Sequence, residues 1–205
     1  MARKRSKLDL MITAIHEAGH AVAAYQLGYT PTLVTIRARG ENRGCTHYRR
    51  VRVHPNEAAA SQRRKAEHAI MIAYAGLIAE CRFRAYGISD GNQEPWTSWY
   101  GDIEKIDACL DAIQGLYSMS DENMEALAQD IMKRSEDLVA ANFWKILQVH
   151  ELLMERRRID GEDIAGIIES YHQQRITAQT VDIARSLLIV LEDFAQWACL
   201  IEGHW

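Results

Sequence analysis

The chain has 205 residues, of which 48% are apolar and 25% charged, with 3 prolines. This excludes a disordered, collagen-like or proline-rich chain, and the length suffices for a hydrophobic core without disulfide or metal staples. A net charge of −4 at pH 7 does not favour nucleic acid as a partner. The four cysteines, Cys45, Cys81, Cys109 and Cys199, form no CxxC pair and read as reduced thiols. The basic start is not followed by an apolar run of signal length, and no stretch approaches the ~18 apolar residues of a membrane span. The expectation is a cytoplasmic globular protein with no membrane contact.

From Leu8 to Leu27 the residues Ile12, Ile15, Gly19, Val22 and Leu27 recur near helical spacing, and Gly28 is the stop that follows. Thr32 to Ala38 then alternates, with Val34, Ile36 and Ala38 on one face and Leu33, Thr35 and Arg37 on the other, as a half-buried strand does. Cys45 to Val53 is the candidate return strand, so one hairpin is the β-structure expected. From Asn56 a helical pattern runs to about Tyr86, charged at first and then almost wholly apolar (AIMIAYAGLIA), which predicts a buried helix. A loop with Pro95, Trp96, Trp99 and Tyr100 precedes a helix opened by Asp102, whose charge suits the helix dipole. Ser120 or Asp121 caps a long helix to Arg158, Asp160-Gly161 starts another to about Gln174, and Thr177 caps a last one. The predicted fold class is mainly α (α+β), with a small hairpin after the first helix.

That first helix carries His16-Glu17-Ala18-Gly19-His20, an HExxH motif. Histidines at i and i+4 stand one turn apart on one face, so both imidazoles reach a single ion. With 8 histidines in the chain, chance produces the pattern with a probability of about 0.02. Chance is therefore a poor account of it. Glu17 is rotated about 100° from His16, which sets its carboxylate beside the ion rather than on it. Catalytic zinc takes three protein ligands and keeps one position for water, and a glutamate so placed is suited to take the water's proton and pass it to the leaving amine. The helix around the trio is apolar (Ala14, Ile15, Ala18, Ala21, Val22, Ala23), where polar groups without partners are costly.

A third ligand is needed. Position 26 is Gln26, so the pattern with a third histidine soon after the motif is absent. His47 and His54 lie on or after the predicted hairpin, and His68 lies on the next helix. Glu80 ends an unusually apolar stretch, and Asp102 begins a helix after the aromatic loop. Spacing alone does not choose between Glu80 and Asp102.

The run AIHEAGHAVAAYQLG, followed by TLVTIRARGENRGCTHY, resembles the peptidase domain of the FtsH family of ATP-dependent zinc metalloproteases. Three later segments agree in order: Ala75 to Glu80, Gly101 to Lys105, and the closing stretch from Leu152 to Ile168. The resemblance implies Zn2+ held by His16, His20 and Asp102, with Glu17 as general base. It implies Glu80 beside a histidine ligand, with a direct ligand role as the alternative. Because the family's substrate lies along an edge strand, it also implies substrate contact at Val34, Thr35 and Ile36. The chain differs from the family in having no GxxxxGK[ST] phosphate loop and no transmembrane helix, and in carrying Leu77, Ile78 and Cys81 where the family has other residues.

The resulting expectation is a peptidase domain over 1–175 and a helical extension over 176–205 that packs on it or serves as an interface. It would hydrolyse peptides or unfolded protein segments without its own ATPase, with a separate ATPase or adaptor as the partner that delivers substrate. Family members assemble as rings, so a homo-oligomer is in keeping with the resemblance. The rival expectation is a metal-bound, non-proteolytic interaction module on the same scaffold. The basic runs Arg63-Arg64-Lys65 and Arg156-Arg157-Arg158 read as solvated helix faces.

Overall fold

The computed structural model describes residues 5–38, 43–49, 57–85 and 99–170. Its elements are α1 (Lys7–Gln26), β1 (Thr30–Thr35), β2 (Cys45–Arg49), α2 (Ala59–Ala85), α3 (Tyr100–Tyr117), α4 (Asp121–Arg156), β3 (Arg158–Asp160) and α5 (Gly161–Ser170). The described residues up to Ile168 belong to one compact unit. The fold is mainly helical with one small antiparallel sheet, as expected from the sequence. The extension predicted over 176–205 and the tryptophan-bearing loop up to residue 98 lie outside the described residues. No described helix is long and apolar enough to cross a membrane.

Both ends of α1 are determined locally. Ser6 and Asp9 form a capping box: Asp9 N–H donates to Ser6 Oγ at 3.0 Å and Ser6 N–H to Asp9 Oδ2 at 2.9 Å. At the other end Gly28, with φ +84°, donates to the Tyr25 carbonyl and Tyr29 to the Ala24 carbonyl, a Schellman closure that the glycine makes easy. Between these caps every residue from Ile12 to Ala24 is buried. A helix enclosed on all sides must find partners for its polar groups, and here those groups are the motif.

The enclosure comes from α2, α4 and the sheet. Gly19 lets α2 approach closely: a Cβ there would stand 2.5 Å from the Ala75 carbonyl oxygen and 2.9 Å from Ala79 Cβ. The apolar half of α2 is largely buried as its composition predicts, from Ile70 to Glu80 and again at Phe83, although Cys81 is exposed. Ser120 caps α4 by accepting from Asn123 N–H. A second cluster, including Ile70, Leu77, Trp99, Ile106 and Ile131, ties α3 to α2 and α4.

Two expectations about the sheet need correction. The segment after α4 does not run from helix to helix. Arg157 takes a left-handed conformation (φ 63°), and β3 follows before α5. The strand order is therefore β2-β1-β3, with Val34 opposite both Thr46 and Ile159. The strand expected to offer an open edge is thus the central one. Val34 and Ile36 are buried, Ile36 N–H donates to the Arg157 carbonyl at 3.0 Å, and Thr35 Oγ1 donates to the same carbonyl at 3.1 Å. Val34, Thr35 and Ile36 cannot also pair with an incoming chain. Among the described residues β2 has no second strand partner, and its Thr46 reaches Glu17 on α1.

Candidate metal centre

His16 and His20 project from α1 toward the N-terminal turn of α3, where Asp102 sits in the first turn. His16 Nε2 and His20 Nε2 are 3.0 Å apart, and Asp102 Oδ2 lies 3.0 Å from the first and 3.2 Å from the second. All three residues are buried. Among the described residues this is the one group of three metal-ligating side chains whose ligand atoms converge.

The other nitrogen of each ring decides what that convergence means. His20 Nδ1 stands 2.7 Å from the Ile72 carbonyl oxygen, which only accepts, so Nδ1 is the donor there and Nε2 is the nitrogen turned inward. His16 Nδ1 faces Glu80 Oε2 at 3.3 Å, a bent contact to another group that only accepts. Two imidazole nitrogens and a carboxylate oxygen thus meet within hydrogen-bond distance of one another. Without a positive charge between them the arrangement is repulsive. In the molecule without metal a proton supplies that charge. Burial opposes charging His16, but hydrogen bonds to Asp102 and Glu80 outweigh it and raise the ring to about 10. Burial likewise works against the charge on Asp102, and the imidazoles of His20 and His16 reverse it, holding the carboxyl well below the usual range.

A tetrahedral zinc ion suits the same donors. Ligand atoms at about 2.0–2.1 Å from such an ion stand roughly 3.3 Å from each other, close to the 3.0, 3.0 and 3.2 Å found here. Each histidine is also backed on its far nitrogen, by a carboxylate and by a backbone carbonyl, which is how ligating imidazoles are usually held.

Glu80 is fully buried, and its four contacts explain how a carboxylate survives there. Oε1 accepts from Arg84 Nε at 3.0 Å and Nη2 at 2.8 Å, while Oε2 accepts from Trp99 Nε1 at 2.9 Å and faces His16 Nδ1. Burial pushes the carboxyl up, and hydrogen bonds from His16, Trp99 and Arg84 bring it below its ordinary value. Glu80 therefore lies on the far edge of the His16 ring, whereas Asp102 lies with the converging Nε2 atoms. Trp99 fastens the start of α3, and with it Asp102, to α2.

Glu17 is buried beside the cluster, and its charge contributes to raising His16. Its Oε2 lies 2.7 Å from Thr46 Oγ1 of β2, a hydroxyl also within 3.1 Å of the Glu17 carbonyl. Gly76 on α2 forms the seat of the His20 ring: a Cβ at this position would stand 2.6 Å from Nε2 and 2.9 Å from Nδ1. Sequence reasoning assigns no role to Thr46, Gly76 or Arg84, and it leaves Trp99 between lining a substrate groove beside Asp102 and pinning its loop; here its Nε1 donates to Glu80. Thr46 and Gly76 fell within quoted motif segments, but only the fold shows which side chains they meet. His47 lies on β2, where Nε2 is 3.2 Å from Cys45 Sγ, and His68 packs edge-on to Tyr29 with centroids 5.8 Å apart. Neither joins the cluster, and His54 lies outside the described residues.

A scan against protein-family models and a search of curated proteins return no match to this chain.

Proposed function

We propose that this protein is a zinc-dependent peptidase with His16, His20 and Asp102 as metal ligands and Glu17 as general base. The observation that carries the reading is the buried convergence of His16 Nε2, His20 Nε2 and Asp102 Oδ2, none more than 3.2 Å from the next, with a further carboxylate one residue along the same helix. The order of motifs, which resembles that of FtsH peptidase domains, supports the same reading.

Bound at these ligands, zinc supplies a Lewis acid for the scissile carbonyl and for water. The protein's own residues then have distinct tasks. Ile72 and Glu80 hold the two rings in the tautomers that present Nε2, and Gly76 leaves room for the His20 ring. Thr46 orients the Glu17 carboxylate, which takes a proton from the attacking water and delivers it to the departing amine. An extended substrate pairs with the outer edge of β2, whose Thr46 already touches Glu17. A chain that must lie flat along this edge is a peptide or an unfolded segment, and a separate ATPase or adaptor is the partner that would present folded proteins. Cys45 and Cys81 are free thiols, which suits a reducing, cytoplasmic setting.

The test is Glu17→Gln. It is expected to keep about one zinc per chain, measured by elemental mass spectrometry, and to lose about 10²–10⁴-fold in peptide hydrolysis. Undiminished turnover in that variant removes Glu17 from the chemistry. Wild-type protein that holds zinc yet cuts no peptide returns the site to a binding or structural role.

A further inference from the structure

Resting on the peptidase reading, we propose that Arg5 is a positioning residue for the general base, holding the start of β2 against the Glu17 carboxylate. Its guanidinium spans two parts of the chain. Nη1 donates to the Ile36 carbonyl at 2.9 Å and to the Arg43 carbonyl at 2.7 Å, the backbone on either side of the β1–β2 connection. Nη2 donates to the Asp9 carbonyl at 3.2 Å and to Thr13 Oγ1, both on α1. A planar fork with donors in fixed directions makes these bonds together, which a lysine ammonium cannot. Burial and the charge of Arg43 work against a cation here, and Asp9 offsets them only in part. Its four N–H bonds are therefore what hold the side chain in place.

What Arg5 holds is the backbone that faces Glu17. Gly44 follows the clamped Arg43 carbonyl, and a Cβ on it would stand 2.6 Å from Glu17 Oε1 and 2.7 Å from Thr13 Cγ2. A glycine lets this backbone lie so close to the carboxylate. Two residues on, Thr46 Oγ1 donates to Glu17 Oε2 at 2.7 Å. One carboxylate oxygen therefore faces Gly44 and the other is bonded to Thr46, and both residues stand on the segment tethered at Arg43. Thr13 lies one turn before Glu17 on α1, and its hydroxyl donates to the Asp9 carbonyl at 2.8 Å. The guanidinium thus links the helix that carries Glu17 to the strand start that orients it. Loss of the link leaves Glu17 on α1 but frees its two neighbours to move. A reacting group misplaced by about 1 Å costs about 10²-fold in rate.

The experiment uses the full chain with Arg5→Ala and Arg5→Lys, each alone and combined with Glu17→Gln. Arg5→Ala is expected to keep about one zinc per chain and to lose about tenfold or more in kcat for peptide hydrolysis. Arg5→Lys should fall between it and the wild type. In the Glu17→Gln background the same changes should cost less than about twofold, because groups that act through one step are not additive. A merely structural residue would lower the rate equally in both backgrounds, and that result overturns the proposal. The second readout needs no turnover: amide hydrogen exchange of residues 43–49 should quicken about tenfold in Arg5→Ala while that of α4 is unchanged. Unaltered exchange in that segment overturns the clamp, whatever the kinetics. If Arg5→Ala fails to fold, Arg5→Lys carries the same comparisons with smaller expected losses. If wild-type protein cuts no peptide, the peptidase reading fails, and the exchange rates alone decide whether Arg5 holds the strand against α1.

Discussion

Gly76→Ala separates a glycine required by the proposed metal centre from one that is merely tolerated in a helix. In an exposed helix interior this change stabilises by up to about 1 kcal/mol. Gly166 on α5 is such a position, with nothing within 4 Å of an added Cβ. At Gly76 the new Cβ would stand 2.6 Å from His20 Nε2, roughly 0.9 Å inside an ordinary contact of about 3.5 Å. The ring must move by a comparable amount or the helices must part. Moving the ring breaks the 2.7 Å contact of Nδ1 with the Ile72 carbonyl, a loss of about 1 kcal/mol. A ligand deprived of its support typically weakens metal binding by about 10–100-fold, or about 1.4–2.7 kcal/mol. The assay is competition for zinc against a chromophoric chelator, with thermal unfolding measured in the presence and absence of zinc. Gly166→Ala should bind zinc as the wild type does and melt slightly higher. Gly76→Ala should bind about 10–100-fold more weakly and gain less Tm from zinc. If Gly76→Ala bound zinc with wild-type affinity and melted as Gly166→Ala does, the proposed seat for His20 would be wrong.

Three further outcomes are expected. Asp102→Asn should abolish stoichiometric zinc, whereas Glu80→Gln should keep the ion with affinity reduced about 10–100-fold; elemental analysis with chelator competition checks both, and the reverse order would make Glu80 the ligand. Thr46→Val removes the hydroxyl 2.7 Å from Glu17 Oε2, so kcat should fall about fivefold with zinc content unchanged, as steady-state kinetics on a cleaved peptide would report. His150 is buried against Phe83, its Nε2 has no hydrogen-bond partner among the described residues, and burial pushes the ring down to about 4. Because the unfolded chain takes up this proton first, near pH 6.5, the neutral buried ring costs nothing above that pH. Stability is then lost as pH falls toward about 4, by at most about 3 kcal/mol. Urea unfolding from pH 7 to 4 should show a shallower loss for His150→Leu than for the wild type, and identical slopes would remove His150 from the acid response.

What the sequence by itself determined was local. HEAGH on an apolar helix, Gly28 as its stop, a cap at Ser120 or Asp121 and the buried apolar half of α2 all follow from spacing, caps and composition within a few turns of chain. Two candidate ligands one turn apart are visible for the same reason, since helix geometry alone sets their distance. The third ligand candidate lies 82 residues beyond His20, and only the packing of α3 onto α2, fastened by Trp99 on Glu80, brings Asp102 to the two rings. Spacing left Glu80 and Asp102 open because it carries no information about which edge of the His16 ring each one meets. The sheet was misread on the same grounds. An alternating segment marks β1 as a strand but not as a central one, and the three residues of β3 are too few to signal themselves. They pair with β1 only because the left-handed turn at Arg157 delivers them there. Periodicity is a property of neighbouring residues, whereas strand order, ring tautomer and the seat at Gly76 come from groups far apart in sequence that meet only when the core closes.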